Sequence, residues 1–166
     1  EEGLMDSPYR ALVIGAAGAI GEAFVQALQA DPHCTHVERV SRALNSGFDL
    51  MDPASLAAQA ALSAQQGPYH LIVDATGSLT IDGVGPEKSL GALQPDVLAK
   101  SFALNAIGPL MVLRHFAPLL AAGRSIYAKL SARVGSIADN RKGGWYGYRA
   151  SKAALNMFLQ TAAIEL

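Results

Sequence analysis

Tyr148 and Lys152 stand four residues apart in the stretch YRASK. On a helix, residues at that spacing share one face, so the lysine ammonium can stand beside the phenol. A phenol titrates near pH ~10, too high to give or take protons readily at neutrality unless something lowers that value. A neighbouring lysine is such a device, and it makes the pair a candidate general acid/base. The chain holds five tyrosines and five lysines in 166 residues, so chance supplies about 0.15 such pairs, and the pair alone is a weak signal. Tyr9, Tyr69, Tyr127 and Tyr146 meet Val13, Val73, Ser131 and Ala150 at the same spacing, which leaves Tyr148 as the tyrosine that qualifies.

A second motif lies near the start. Residues 10–14 (RALVI) form a short apolar run that ends in Gly15-Ala-Ala17-Gly18-Ala19-Ile20-Gly21, and residues 20–30 then carry helical spacing. Glycines between a strand and a helix permit a tight turn, close approach of a pyrophosphate and close helix–strand packing. The helix N-terminus behind them offers unpaired N–H groups and a positive dipole end to phosphates. The competing reading is a purely structural tight turn. At the tip of the next strand stand Ser41 and Arg42, with no acid to hold a ribose 2′-hydroxyl. A guanidinium there can pair with a 2′-phosphate, which favours NADP(H) over NAD(H). Arg42 as an ordinary solvated charge is the alternative, and Arg39 is the less apt partner because it falls within the strand.

The elements that must position these groups alternate along the chain. Strands are expected at 10–14, 36–41, 47–50, 69–76 and 125–131. Helices are expected at 20–30, from Pro53 to about Ala64, from Pro95 toward Leu120 with a bend at Gly108-Pro109, and from about Tyr148 to Leu166. Pro53 and Pro95 suit first-turn positions, and Asp52 is the natural cap before Pro53. Residues 77–94 and 135–147 read as loops. Alternating strand and helix imply βαβ units, a parallel sheet and helices on both faces, an α/β doubly wound fold of the Rossmann type.

Bulk properties narrow the classes. The length suits one domain, expected over 10–166, with 1–9 as an N-terminal extension or cloning remnant. With 51% apolar and 16% charged residues the chain can build a core, and a net charge of −1 gives no basic footprint for nucleic acid. One cysteine, Cys34, excludes an internal disulfide, and no ligand cluster suggests a metal. The apolar tract 103–122 is interrupted by Asn105, Gly108, Pro109, Arg114, His115 and Pro118, which argues against a membrane span and for a cytoplasmic protein.

In order and spacing the chain resembles a short-chain dehydrogenase/reductase from about residue 10 to Leu166: glycine turn, Asp49-Leu50, Asp74-Ala75-Thr76-Gly77, Asn105, Ser131, then Tyr148 and Lys152. The segments NAIGPLMVLRHFAPLL, LSARVGSIADN and GGWYGYRASKAALNMF are most similar to the subgroup around the C-factor cell–cell signalling protein. The resemblance implies that Tyr148 is the general acid in carbonyl reduction or the base in alcohol oxidation. Lys152 would lower its pKa and bind the nicotinamide ribose, Ser131 would orient the substrate oxygen, and Asn105 would help hold a water in a proton relay. It implies that Gly15, Ala17, Gly18, Ala19, Ile20 and Gly21 cradle the pyrophosphate, that Asp49 and Leu50 meet the adenine, and that Ala75, Thr76 and Gly77 line the adenosine side.

Each of these residues also has a bland role. Ser131 could serve a strand-end turn with Ser136 as competitor, Asn105 a backbone contact, and Asp49 a helix cap. The chain departs from the family pattern at Ala19, at Asp74-Ala-Thr, and in the seventeen-residue step from Ser131 to Tyr148. Family members also continue past the position of Leu166 through further strands. The functional reading is an NADP(H)-dependent oxidoreductase acting on a small carbonyl or alcohol. The alternative is a non-catalytic nucleotide-binding or signalling protein of the C-factor type. A homodimer or homotetramer is expected through apolar faces carrying Leu104, Leu110, Leu113, Leu155, Phe158 and Leu159.

Overall fold

A computed structural model of the chain describes residues 7–166. The expected extension therefore falls largely outside the described residues, and β1 begins at Tyr9. The chain divides into two compact units: the residues through Thr76 with Met111–Leu130, and Gly77–Leu110 with Ser131–Leu166.

The first unit is an α/β layer structure. Its strands β1 (Tyr9–Ile14), β2 (Cys34–Val40), β3 (Leu71–Asp74) and β4 (Ile126–Lys129) pair in parallel in the order β2-β1-β3-β4. β1 and β3 are central and buried on both faces, which is why both read as nearly unbroken apolar runs. Alternate side chains serve opposite faces. Ala11, Val13, Leu71 and Val73 meet Val25 and Leu28 of α1 (Ala19–Ala30). Leu12, Ile14, Ile72 and Val40 meet Leu56 and Ala60 of α2 (Pro53–Ala64), together with Val112 and Phe116. Helices thus cover both faces of the sheet, as the alternation of elements predicts. Gly21, Val25 and Leu28 recur at helical spacing, and that spacing turns the buried stripe of α1 inward.

Among the described residues four strands form where five are expected. Residues 47–50 make no strand. Gly47 takes a left-handed φ of 82°, and Asp49 closes a local turn by accepting from the Met51 N–H at 2.9 Å. Phe48 is buried in the core from this turn. Asp52, as its place before Pro53 suggests, caps α2 by accepting from the Ala54 N–H at 2.9 Å.

The second unit is built of helices and loops. α3 (Pro95–Phe102) runs into a π-helical turn at Ala103–Ile107 before α4 (Gly108–Phe116), so the expected bend takes the form of a π-turn just ahead of Gly108-Pro109. α5 (Tyr146–Glu165) starts two residues earlier than expected. By length and composition the run Pro95–Leu119 could cross a membrane. Within it Ser101, Asn105, Val112 and Phe116 are buried. Leu113 and Leu155, expected on faces for self-association, are buried within the chain itself.

Candidate active site

In the second unit the π-turn and α5 bring three of the four expected catalytic residues together. Lys152 is 4% exposed, and its Nζ lies 5.7 Å from the centroid of the Tyr148 ring, over its face. Gly77 supplies the third side. A Cβ on Gly77 would stand 3.2 Å from both the Asn105 Oδ1 and the Lys152 Nζ, and its φ of 140° is one that side chains rarely adopt. Gly77, expected beside adenosine, therefore packs directly against the Asn105 and Lys152 head groups.

Asn105 is fully buried, and both ends of its amide are engaged. Its Oδ1 accepts from the Ser78 N–H at 2.8 Å and its Nδ2 donates to the Ser78 carbonyl at 2.8 Å. The side chain thus makes the backbone contact that stands as its bland alternative, and it clamps the loop that carries Gly77.

Ser131 lies two residues past β4 and donates from Oγ to Asn156 Oδ1 at 2.6 Å. Asn156 is one turn beyond Lys152 on α5. The segment after Ser131 presses on the same turn: a Cβ on Gly135 would come within 2.9–3.0 Å of Lys152 backbone and side-chain atoms and of Asn156. A glycine is required there by close approach rather than by backbone angle.

The electrostatics differ from the expectation in one respect. Burial pushes the Tyr148 phenol above its ordinary value, and Lys152 does not offset it. The Lys152 Nζ lies over the ring, and the desolvation of the phenolate dominates. The Trp145 ring stands edge-on to Tyr148, with centroids 6.2 Å apart and planes at 71°. Glu87, which no sequence signal marks, is buried and accepts from the Gly147 N–H at 3.1 Å, fixing the first turn of α5.

In the first unit the glycine turn has the geometry of a cradle. Gly15 has a φ of 81°, and a Cβ there would stand 3.0 Å from the Ala75 and Thr76 backbones. Gly18 precedes α1 without a side-chain cap, and Ala17, Gly18, Ala19 and Ile20 are exposed. The orphan N–H groups of the helix start there. A Cβ on Gly21 would stand 2.1 Å from the Gly15 carbonyl oxygen. Gly21→Ala is therefore expected to spread the turn and to lower stability by about 1–3 kcal/mol, read as a lower midpoint in urea.

Ser41 is buried, accepts from the Leu44 N–H at Oγ and closes the turn after β2, with Arg42 exposed beyond it. Arg39 is paired with Glu22 at 2.7 Å. Asp49 is exposed with its carboxylate in the turn before α2, and Leu50 packs against the core.

Thr76 is held by two charged groups. Asp74 Oδ1 accepts from the Thr76 N–H at 2.9 Å and from its hydroxyl at 2.6 Å. Lys129 Nζ donates to the Thr76 carbonyl at 2.5 Å and to Asp74 Oδ1 at 3.1 Å. Both side chains are all but fully buried, at 1% and 0% exposure. The sequence does not mark Lys129, because a lone lysine in an apolar strand gives no sign of its partner until Asp74 and Lys129 pair in register.

No family model matches the sequence. The chain is 34% identical over 112 residues to 1-hydroxy-2-glutathionyl-2-methyl-3-butene dehydrogenase of Rhodococcus sp. (strain AD45), covering 67% of this chain and 46% of that protein. It is 41% identical over 102 residues to C-signal of Myxococcus xanthus, covering 60% of this chain and 58% of that protein. The chain thus spans about half the length of the curated relatives it matches. The fold superimposes on the NADPH-bound carbonyl reductase from chicken fatty liver with a TM-score of 0.80 at 22% identity, over 98% of this chain and 72% of that one. With a parallel sheet led by a glycine turn, a Tyr148–Lys152 pair on the last helix and relatives of this kind, the chain belongs to the short-chain dehydrogenase/reductase family.

Proposed function

We propose that the chain is an NADP(H)-dependent oxidoreductase that interconverts a small carbonyl compound and its alcohol. The observation that carries this reading is the place of buried Lys152, which lies over the Tyr148 ring and beside Gly77 with buried Asn105. The family and the NADPH-bound fold relative support it. The glycine cradle fits a dinucleotide, because its exposed residues 17–20 lead into a helix N-terminus and Gly15 and Gly21 leave no room for side chains.

When bound, the nicotinamide supplies the hydride. The protein's own residues supply the proton and the orientation. Tyr148 Oη holds the proton that a reduced carbonyl oxygen must receive, and its raised pKa keeps it protonated at neutrality. Lys152 presents its charge from the next turn of α5. The Ser131 hydroxyl, oriented by Asn156, would hold the substrate oxygen. The Asn105 amide is committed to Ser78, so a water-holding role falls to its main-chain carbonyl.

Arg42 carries the preference for the 2′-phosphate in this reading. Its exposure and the Arg39–Glu22 pairing support that choice. Arg42→Ala is expected to raise the Kd for NADPH about tenfold, the loss of one charge-assisted contact, and to leave the Kd for NADH unchanged. Fluorescence titration of both cofactors checks this, and equal weakening of the two would remove Arg42 from the role. The reading as a whole is tested by NADPH oxidation across a panel of aldehydes and ketones.

The 41% identity to C-signal favours a second reading, a nucleotide-binding signalling protein without turnover. Tight NADPH binding with no activity on the panel would select it. In either case self-association is proposed through the half-buried Leu104, Leu110, Phe158 and Leu159 and the exposed Ile107 and Met157. Sedimentation as a monomer at micromolar concentration would exclude it.

A further inference from the structure

Trp145 is the one tryptophan in the chain, and it sits in a backbone conformation that a bulky residue rarely takes. Its φ and ψ are 57° and 43°, in the left-handed region. Gly143 and Gly144 precede it at φ 65° and 64°, so three successive residues are left-handed immediately before α5. Such a conformation persists only where its surroundings over-determine it, and here they do. The Trp145 N–H donates to the Glu87 carbonyl, and the Glu87 carboxylate, itself 7% exposed, accepts from the Gly147 N–H at 3.1 Å. Arg149 reaches back from the first turn of α5, donating from Nε to the Gly144 carbonyl at 2.9 Å and from Nη2 to that of Gly143 at 3.2 Å.

The consequence of this anchoring is the place of the indole. Its neighbours Gly144 and Tyr146 line a cavity of about 270 Å³ with Ser136, Arg149 and Ala153, a cavity that Tyr148 and Lys152 do not enter. Trp145 is not among the residues that line it. Its ring meets the Tyr148 ring edge-on at 6.2 Å, yet 36% of the residue stays exposed. A rigid, half-exposed aromatic surface beside the proton-bearing phenol is a wall for whatever is attached to the reacting carbon. Aromatic surfaces prefer flat apolar partners in stacked or edge-on contact.

We propose that Trp145 is the specificity-determining residue for the substrate side of this site, selecting carbonyl compounds that carry an aromatic group over small aliphatic ones. This rests on the reading of Tyr148 as the proton donor. Kinetics on the full-length protein with NADPH, benzaldehyde and propanal test it. Trp145→Ala is expected to lower kcat/KM for benzaldehyde about tenfold, the scale of a lost apolar pocket contact, and to leave propanal within about twofold. Trp145→Phe, which keeps a ring, is expected to restore most of the benzaldehyde rate. Trp145→Leu, which keeps apolar bulk without a ring, should behave like the alanine variant and decides the matter if Trp145→Ala does not fold.

Binding gives a second readout that needs no turnover. In Tyr148→Phe, the emission of the single tryptophan should shift on adding benzyl alcohol with NADP and not on adding n-propanol. An unchanged benzaldehyde-to-propanal ratio in Trp145→Leu overturns the role of Trp145 while leaving the oxidoreductase reading intact. A wild-type protein that neither binds NADPH nor reduces either aldehyde overturns that reading itself.

Discussion

Tyr148→Phe is expected to lower NADPH-dependent carbonyl reduction by about 10²–10⁴-fold, the range that a positioned general acid contributes, and to leave the Kd for NADPH within about threefold. The ring keeps its contact with Trp145 and its place over Lys152, so only the proton is removed. Burial holds the phenol above its ordinary value. A general acid must be protonated to act, so the wild-type reduction rate should stay flat from neutral pH up to about 10, the unperturbed phenol value, and fall only beyond it. Stopped-flow reduction of benzaldehyde at saturating NADPH across that range measures both effects. Equal turnover in the phenylalanine variant would remove Tyr148 from the chemistry. A rate falling already through neutrality would mean that a different group carries the proton.

The second large effect lies in the sheet. Lys129→Met is expected to cost about 3–5 kcal/mol of folding stability, the cost of leaving one partner of a buried ion pair alone. For a chain of this size that corresponds to a fall in Tm of roughly 10 °C. Asp74 is fully buried, and its second oxygen already has no hydrogen-bond partner among the described residues. Without the ammonium its carboxylate keeps only the Thr76 N–H and hydroxyl. Burial disfavours the Lys129 ammonium too and holds its pKa below the ordinary lysine value, with Asp74 offsetting only part of the cost. The double variant Asp74→Asn/Lys129→Leu removes both charges and should recover most of the loss, since neutral replacement of a buried pair is often tolerated. Differential scanning calorimetry of the single and double variants separates these outcomes. Additive losses would show that the two residues do not act as a pair.

Much of the architecture was legible from local chemistry. Continuous apolar runs at 10–14 and 71–74 mark strands buried on both faces, because a parallel sheet covered by helices leaves no polar side. Proline at 53 and 95 and aspartate at 52 mark helix starts, because the first turn has no use for the missing N–H and needs an acceptor for the rest. The segment 47–50 was not legible. Phe48 and Leu50 alternate with polar residues as a strand would, and their burial comes from a turn packed on the core rather than from sheet pairing.

At the site, the residue types and their order along the chain were determined by the sequence alone: the glycine turn, Asn105, Ser131, and Tyr148 with Lys152 one helical turn apart. Local spacing suffices for the glycine turn and for Tyr148 with Lys152, because backbone geometry sets which residues share a helix face or open a turn, whereas Asn105 and Ser131 stand out only through the family resemblance. What only the tertiary structure decided are the contacts between segments distant in sequence. Asn105 spends its amide on Ser78, Gly77 closes on Lys152, Glu87 and Arg149 hold Trp145 in a left-handed turn against Tyr148, and Lys129 finds Asp74 across two strands. The direction of the Tyr148 shift belongs there as well. A lysine four residues away can stand beside a phenol, but whether charge or desolvation wins depends on what else surrounds the ring, and here burial outweighs the ammonium.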